Sequence, residues 1–165
     1  MRIRRERAGD ATAIRLLTEA AFRDAPHSDQ TESRIVDALR SSNALALSLV
    51  ASQHGEILGH AAFSPIRING ASGDWYGLGP VSVRPDRQRK GMGRSLVQDG
   101  LQQLRSMNAA GCVVLGDPAY YGRFGFEYDP ALFYAGAPAG YFQRVVFRGD
   151  APTGEVTYHP SFDIA

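Results

Sequence analysis

The chain of 165 residues holds one cysteine, four scattered histidines and almost no excess charge. It also has no apolar run near the roughly 20 residues that a membrane span needs. Each lack excludes something. Cys112, being alone, cannot close an intrachain disulfide, so a stapled secreted scaffold is excluded and a reducing, cytoplasmic setting is expected. His27, His54, His60 and His159 do not cluster with each other or with Cys112 at ligand spacing, so no metal is expected. Lys and Arg number 18 against 17 Asp and Glu, a formal net charge of +1. Such a balance provides no global field for nucleic acid or an anionic membrane, and neither is expected as a partner. The charged start from Met1 to Arg7 is followed by no apolar core, so a secretory signal peptide is not expected. Repeats and low-complexity tracts are absent too.

What is present is an ordinary globular composition, 44% hydrophobic and 21% charged. The length suits one domain over residues 1–165. Ile3 to Glu6 reads as a first strand. Asp10 is placed to cap a helix carrying Ile14, Leu17 and Ala21 on one face. Asp29 and Glu32 have the spacing of a capping box before Ile35, Val36 and Leu39. Leu45–Ser52 and Ile57–Phe63 read as strands joined by a turn at Gln53-His54-Gly55-Glu56, and Asn69-Gly70 marks another turn. Tyr76–Val83 reads as a strand in which Pro80, lacking an amide hydrogen, must interrupt ladder pairing. Gly91–Met107 is the clearest helix, with Met92, Leu96, Val97, Leu101 and Leu104 on one face. Cys112–Leu115 follows as a short buried strand, in which Cys112 packs as a small hydrophobe. Asp117 is then placed to cap a short helix to Phe124, and Tyr141–Phe147 and Glu155–Tyr158 are late strands. The order β-α-α-β-β-β-α-β-α-β-β predicts an α/β (α+β-like) fold, a mixed central sheet of six to seven strands flanked by about four helices.

The stretch Arg84–Arg94 carries five cations, Arg84, Arg87, Arg89, Lys90 and Arg94, against the single acid Asp86. On a nearly neutral chain this is a local anion site. A helix N-terminus presents unpaired amides and the positive end of its dipole. Gly91 and Gly93, lacking Cβ, let a phosphate approach those amides closely. A Rossmann loop would need glycine where Leu96 stands, and a phosphate loop of the Walker type needs Gly-Lys before Ser or Thr, which does not occur. What fits is (Gln/Arg)-x-x-Gly-x-(Gly/Ala), met by Gln88, Gly91 and Gly93.

Downstream, Tyr121, Gly125 and Phe126 supply Tyr-x-x-x-Gly-Phe, inside Leu115-Gly116-Asp117-Pro118 and Tyr120-Tyr121-Gly122-Arg123-Phe124-Gly125-Phe126. With the tail Gly154–Phe162, these segments resemble the GNAT superfamily of N-acetyltransferases, and within it a branch of predicted acetyltransferases. The resemblance covers nearly the whole chain and is weakest before residue 30. It implies a sheet splayed between the fourth and fifth strands, with acetyl-CoA as cosubstrate. The implied cofactor-binding set is Val81, Ser82 and Val83 on the fourth strand, and Gln88, Arg89, Lys90, Gly91, Met92, Gly93, Arg94 and Ser95 on the loop and helix start. It further implies transfer of acetyl to a primary amine, on a small molecule, a peptide or a protein, by direct attack in a ternary complex. Many members carry asparagine just after the fifth strand; here Gly116-Asp117-Pro118 stands in that place.

Tyr121 is the candidate general acid toward the CoA sulfur, with Tyr120 as its neighbour and rival. Packing with a satisfied hydroxyl is the other reading of Tyr121. Glu32 is the candidate general base, although a capping box would also account for it, and a water chain could do the same work. Asp24, Asp29, Glu32 and Asp37 make the early helices acidic, which suits a cationic amine but also ordinary dipole chemistry. Two other functions fit the residues: an acyl-CoA sensor of the same fold without turnover, and a nucleotide- or RNA-binding protein using the Arg84–Arg94 patch. The near-neutral charge and the lack of aromatics in the patch weigh against the latter. A homodimer is compatible with the sequence, which fixes no oligomeric state.

Overall fold

The computed structural model describes residues 1–164. Strand β1 (Arg2–Arg5) is followed by helices α1 (Ala11–Phe22) and α2 (Glu32–Ser41). Three antiparallel strands come next: β2 (Leu47–Gln53), β3 (Glu56–Ile68) and β4 (Ala71–Val83). Their turns are built as the sequence suggests. His54 and Gly55, then Asn69 and Gly70, hold successive positive φ values of 53° and 78°, and 53° and 77°. Such pairs make the tight turns whose twist matches a hairpin.

Helix α3 (Met92–Ser106) leads to β5 (Gly111–Leu115), and the short helix α4 (Pro118–Tyr121) follows. The rest is β6 (Glu127–Tyr128), β7 (Leu132–Phe133), β8 (Phe142–Val146) and β9 (Gly154–Thr157). The path of neighbours is β1-β2-β3-β4-β5-β8-β6, with β9 paired to β3 and β7. Pairing is antiparallel except for β4/β5 and β7/β9. The mixed sheet is as expected, but it has nine strands among the described residues rather than six to seven. The additions β6 and β7 span two residues each, too short to carry a period.

Alternation along β2 and β3 divides the interior. Leu47, Leu49, Ala61 and Phe63 meet Leu96, Val97, Leu101 and Leu104 of α3. Val50, on the opposite face, packs with Ile14 of α1 and Val36 of α2. Gly100 lets α3 lie flat on this core, because a Cβ there would overlap the Phe63 ring.

Two helix starts differ from expectation. Asp10 sits at the N-cap of α1, yet its carboxylate caps no α1 amide and instead takes the Arg7 amide (2.7 Å) and the Arg4 guanidinium (2.8 Å). The Asp29–Glu32 capping box does not form. The N-cap of α2 is Thr31, with no side-chain cap; its hydroxyl donates to Asp29 (2.6 Å), and Glu32 is held by Ser28.

Candidate active site

The site begins with a break in the sheet. β4 and β5 pair in parallel from Trp75–Gly111 to Leu78–Val114 and then part, while β4 runs on to Val83. Along β3, Phe63 faces Leu78 and Ala61 faces Val81, so one extra residue bulges out at Gly79–Pro80. The interruption expected at Pro80 is therefore present. The Arg84 amide donates to the Leu58 carbonyl (2.9 Å). Hydrogen-bonded pairs alternate in an antiparallel ladder. The Ser82 backbone therefore bonds across to His60, and the amide and carbonyl groups of Val81 and Val83 point away from β3, into the gap that β5 has left.

The next part is the cationic loop. Arg89 and Gly91 take positive φ values of 64° and 86°. Gly91 is the N-cap of α3 and supplies no side-chain cap, so the first amides of a 15-residue helix have no side-chain acceptor. The five cations divide. Arg84 is engaged by Glu56 (2.5 Å) and Asp86 (2.6 Å), and Arg87 donates to Gln53 (2.9 Å). Arg89, Lys90 and Arg94 have no acidic partner among the described residues, and all three are exposed. Gln88 ties the loop to the strand by donating to the Val83 carbonyl (3.0 Å).

A cavity of about 540 Å³ joins these parts. Val81, Val83, Gln88, Arg89, Gly91, Gly93, Arg94 and Tyr121 line it, with Tyr120 and Arg123. Four residues of the expected set do not. Ser82 is buried with its side chain on the α1 side of the sheet, opposite Val81 and Val83. Met92 is a core residue whose sulfur packs against Gly59 of β3. Lys90 is exposed and Ser95 half-buried, both outside the lining. Arg123 was not foreseen. Its guanidinium stacks 4.9 Å from the centre of the ring of Tyr120, the neighbour of Tyr121. The Tyr120 hydroxyl lies 3.2 Å from where a Cβ on Gly93 would stand, so a side chain at Gly93 would crowd the cavity floor.

Tyr121 is placed by α4. Asp117 caps this helix as expected, accepting from the Ala119 amide (2.9 Å). The Tyr121 ring lies on Gly116, where any Cβ would overlap it, and meets Tyr120 and Phe126 edge-on at 4.9 and 6.0 Å. That contact accounts for glycine at position 116. Burial pushes the Tyr121 phenol up to about 12, and its hydroxyl has no hydrogen-bond partner among the described residues. A protonated phenol with a free hydroxyl can donate.

A second cavity, of about 380 Å³, opens on the other side of Tyr121 and Val81, which line both. Glu32 lies in its wall, so the two candidate catalytic residues share one space. Ser28 Oγ is 2.8 Å from each Glu32 carboxylate oxygen. Phe22 and Ile35 supply one side, Pro80 and Leu115 the splay, and Tyr134, Tyr158 and Phe162 the far wall.

Two other reactive side chains lie elsewhere. Burial pushes the Cys112 thiol well above its ordinary value, which suits packing rather than nucleophilic chemistry. His60 is wholly buried, and burial depresses it to about 4, so it is neutral. It is the end of a chain from Arg40 to Glu6 (2.7 Å), to Ser48 (2.7 Å), to His60 Nε2 (2.8 Å). Among the described residues no helix is long and apolar enough to cross a membrane, and no group of three His, Cys, Asp or Glu side chains could hold a metal.

Comparison with known proteins places these features in context. The family model described as Acetyltransferase (GNAT) domain matches residues 2–128. The chain is 36% identical over 171 residues to the uncharacterized N-acetyltransferase YhbS of Escherichia coli K12, covering 99% of each. A crystal structure of a GNAT family acetyltransferase from Brucella melitensis in complex with acetyl-CoA is 53% identical, with a TM-score of 0.89 over 98% of this chain and 97% of that one. The crystal structure of Escherichia coli YhbS in complex with CoA is 34% identical, with a TM-score of 0.87 over 99% of this chain and 92% of that one.

Proposed function

The chain belongs to the GNAT acetyltransferase family, and on that premise we propose that it transfers acetyl from acetyl-CoA to a primary amine by direct attack within a ternary complex. Residues 1–165 act as one such domain, in the cytoplasm. The observation that carries the reading is the 540 Å³ cavity, which joins the free edge of β4 to a helix start with no side-chain cap and to Arg89 and Arg94, which have no acidic partner among the described residues. These residues fit the cosubstrate. Arg89, Arg94 and the α3 amides suit its diphosphate, with Lys90 adding charge nearby. The outward amides of Val81 and Val83 and the outward carbonyl of Val81 suit the two amides of pantetheine. The relatives bound to acetyl-CoA and to CoA support this.

Acetyl-CoA supplies an activated thioester. An amide hydrogen on the free edge of β4 donates to the thioester carbonyl oxygen. The Glu32 carboxylate holds the incoming ammonium and takes one proton from it, leaving a lone pair to form the C–N bond. As the C–S bond breaks, Tyr121 Oη gives its proton to sulfur, the second proton on the newly bonded nitrogen leaves to solvent to give the neutral amide, and solvent reprotonates Tyr121 and takes the proton from Glu32.

Calorimetric titration with acetyl-CoA tests the cofactor site. Micromolar binding is expected, and Gly91→Glu should abolish it. Gly91→Asn, which tolerates the left-handed backbone at φ 86°, controls for the fold. A folded wild-type protein that binds no acyl-CoA would overturn the proposal.

A further inference from the structure

The acidic early helices offer no general pull on cations. Asp37 is engaged by Arg15 and Arg40, and Asp29 by Thr31. Among Asp24, Asp29, Glu32 and Asp37, only Glu32 lines the second cavity. It is also the only charged residue in that wall among the described residues. One carboxylate can pair one ammonium. A carboxylate on the bound molecule, or a second ammonium, would find no opposite charge there and would lose its hydration for nothing.

The remaining wall is apolar and aromatic. Tyr134 and Tyr158 meet edge-on at 5.0 Å, and Tyr158 lies 5.1 Å from Phe162. The Tyr158 ring seats against Gly77, where any Cβ would overlap it. Burial raises the Tyr158 phenol, so it too stays protonated and neutral. The volume of about 380 Å³ stands near the lower end of the roughly 300–1,000 Å³ typical of ligand pockets, which limits the occupant to a compact body.

From one carboxylate in an aromatic cavity we infer the acceptor class: a primary monoamine on a compact aromatic or branched apolar body, with no carboxylate of its own. This inference rests on the acetyltransferase reading above. Glu32 pairs the ammonium, the rings cover the body and favour a cation beside them, and Tyr121 and Val81 stand where this cavity meets the other one.

Binding of acetyl-CoA to the purified full chain is measured first, by calorimetry. Thiol release at saturating acetyl-CoA is then compared for 2-phenylethylamine, phenylalanine amide, phenylalanine and spermidine. The first two should exceed the last two by at least about tenfold in kcat/KM, because an unpaired charge is costly in an apolar wall. Glu32→Gln should raise the KM for 2-phenylethylamine by about tenfold or more while the Kd for acetyl-CoA stays unchanged. Spermidine or phenylalanine used as well as 2-phenylethylamine would overturn the inferred class and leave the acetyltransferase reading standing. So would bound acetyl-CoA with no release to either monoamine. Failure to bind acetyl-CoA would instead overturn the acetyltransferase reading, and this inference with it.

Discussion

Replacing Tyr121 by phenylalanine separates chemistry from packing, because the structure assigns the ring and the hydroxyl different work. The ring rests on Gly116 and meets Tyr120 and Phe126, whereas the hydroxyl bonds to nothing among the described residues. Removing one oxygen therefore breaks no hydrogen bond and opens no cavity. Stability should change by no more than about 0.5 kcal/mol. Burial holds the phenol at about 12, so it carries its proton throughout the neutral range. Loss of a positioned acid should lower kcat by about 10²–10⁴-fold, about 2.7–5.4 kcal/mol of barrier. The assay is steady-state thiol release at saturating acetyl-CoA, with calorimetry on the same variant. Unchanged Kd with the lower kcat is expected. A wild-type kcat would refute the assignment, as would a Kd that weakens as much as kcat falls.

Other perturbations follow from the same contacts. Arg94→Ala, which removes a cation with no acidic partner among the described residues, should weaken acetyl-CoA binding about tenfold and flatten its salt dependence. Arg84→Ala should change that affinity far less, since Glu56 and Asp86 already engage the guanidinium; equal losses in the two titrations would contradict the division of the patch. Gly100→Ala sets a helix-propensity gain of about 1 kcal/mol against overpacking of Phe63, typically about 1–3 kcal/mol, so a net loss is expected in urea unfolding and a gain would show that the ring can move. His60, at about 4 folded against 6.5 unfolded, binds its proton more weakly in the native state, so its contribution is complete above pH 6.5 and lost as pH falls toward 4. The gap of about 2.5 pH units, at about 1.36 kcal/mol each, amounts to about 3 kcal/mol. Urea unfolding of wild type and His60→Gln checks this: as pH falls across that window, the stability of wild type relative to the variant should drop by about that amount, and a constant difference would refute it.

Much of this was legible in the chain. The apolar stripe of α3 has the helical period, the hairpin turns carry Asn-Gly and His-Gly, and the loop before α3 joins glycines to cations. Side-chain direction was harder. Met92 belongs at once to the glycine loop and to the apolar stripe, and the core takes it. Asp29 and Glu32 have capping-box spacing, but Thr31 lies closer to Asp29 and Ser28 reaches Glu32, so local hydroxyls win over the helix amides. The aromatic wall was not legible as a wall. Tyr158 ends the late strand expected at Glu155–Tyr158, but Tyr134 and Phe162 come from segments with no period, and the pairing of β9 with β3 together with the packing of Phe162 on α2 brings Tyr158 and Phe162 back beside Glu32.

The placement of the whole site turns on one inserted residue in β4. Strict alternation would set Leu78 and Ser82 on one face and Val81 and Val83 on the other. The bulge at Gly79–Pro80 reverses the phase. Leu78, Val81 and Val83 all pack toward α3, and Ser82 turns to the opposite side. The backbone keeps its outward phase across the bulge, since Ala61 and Phe63, two residues apart on β3, face Val81 and Leu78. Before the bulge, the outward groups of Leu78 are used by β5; after it, those of Val81 and Val83 face the gap. A bulge also bends its strand, which accounts for β5 parting there rather than a turn later. A single extra residue thus frees the strand edge, sets Val81 and Val83 against the core beside α3, and leaves Pro80 to wall the cavity beside Glu32.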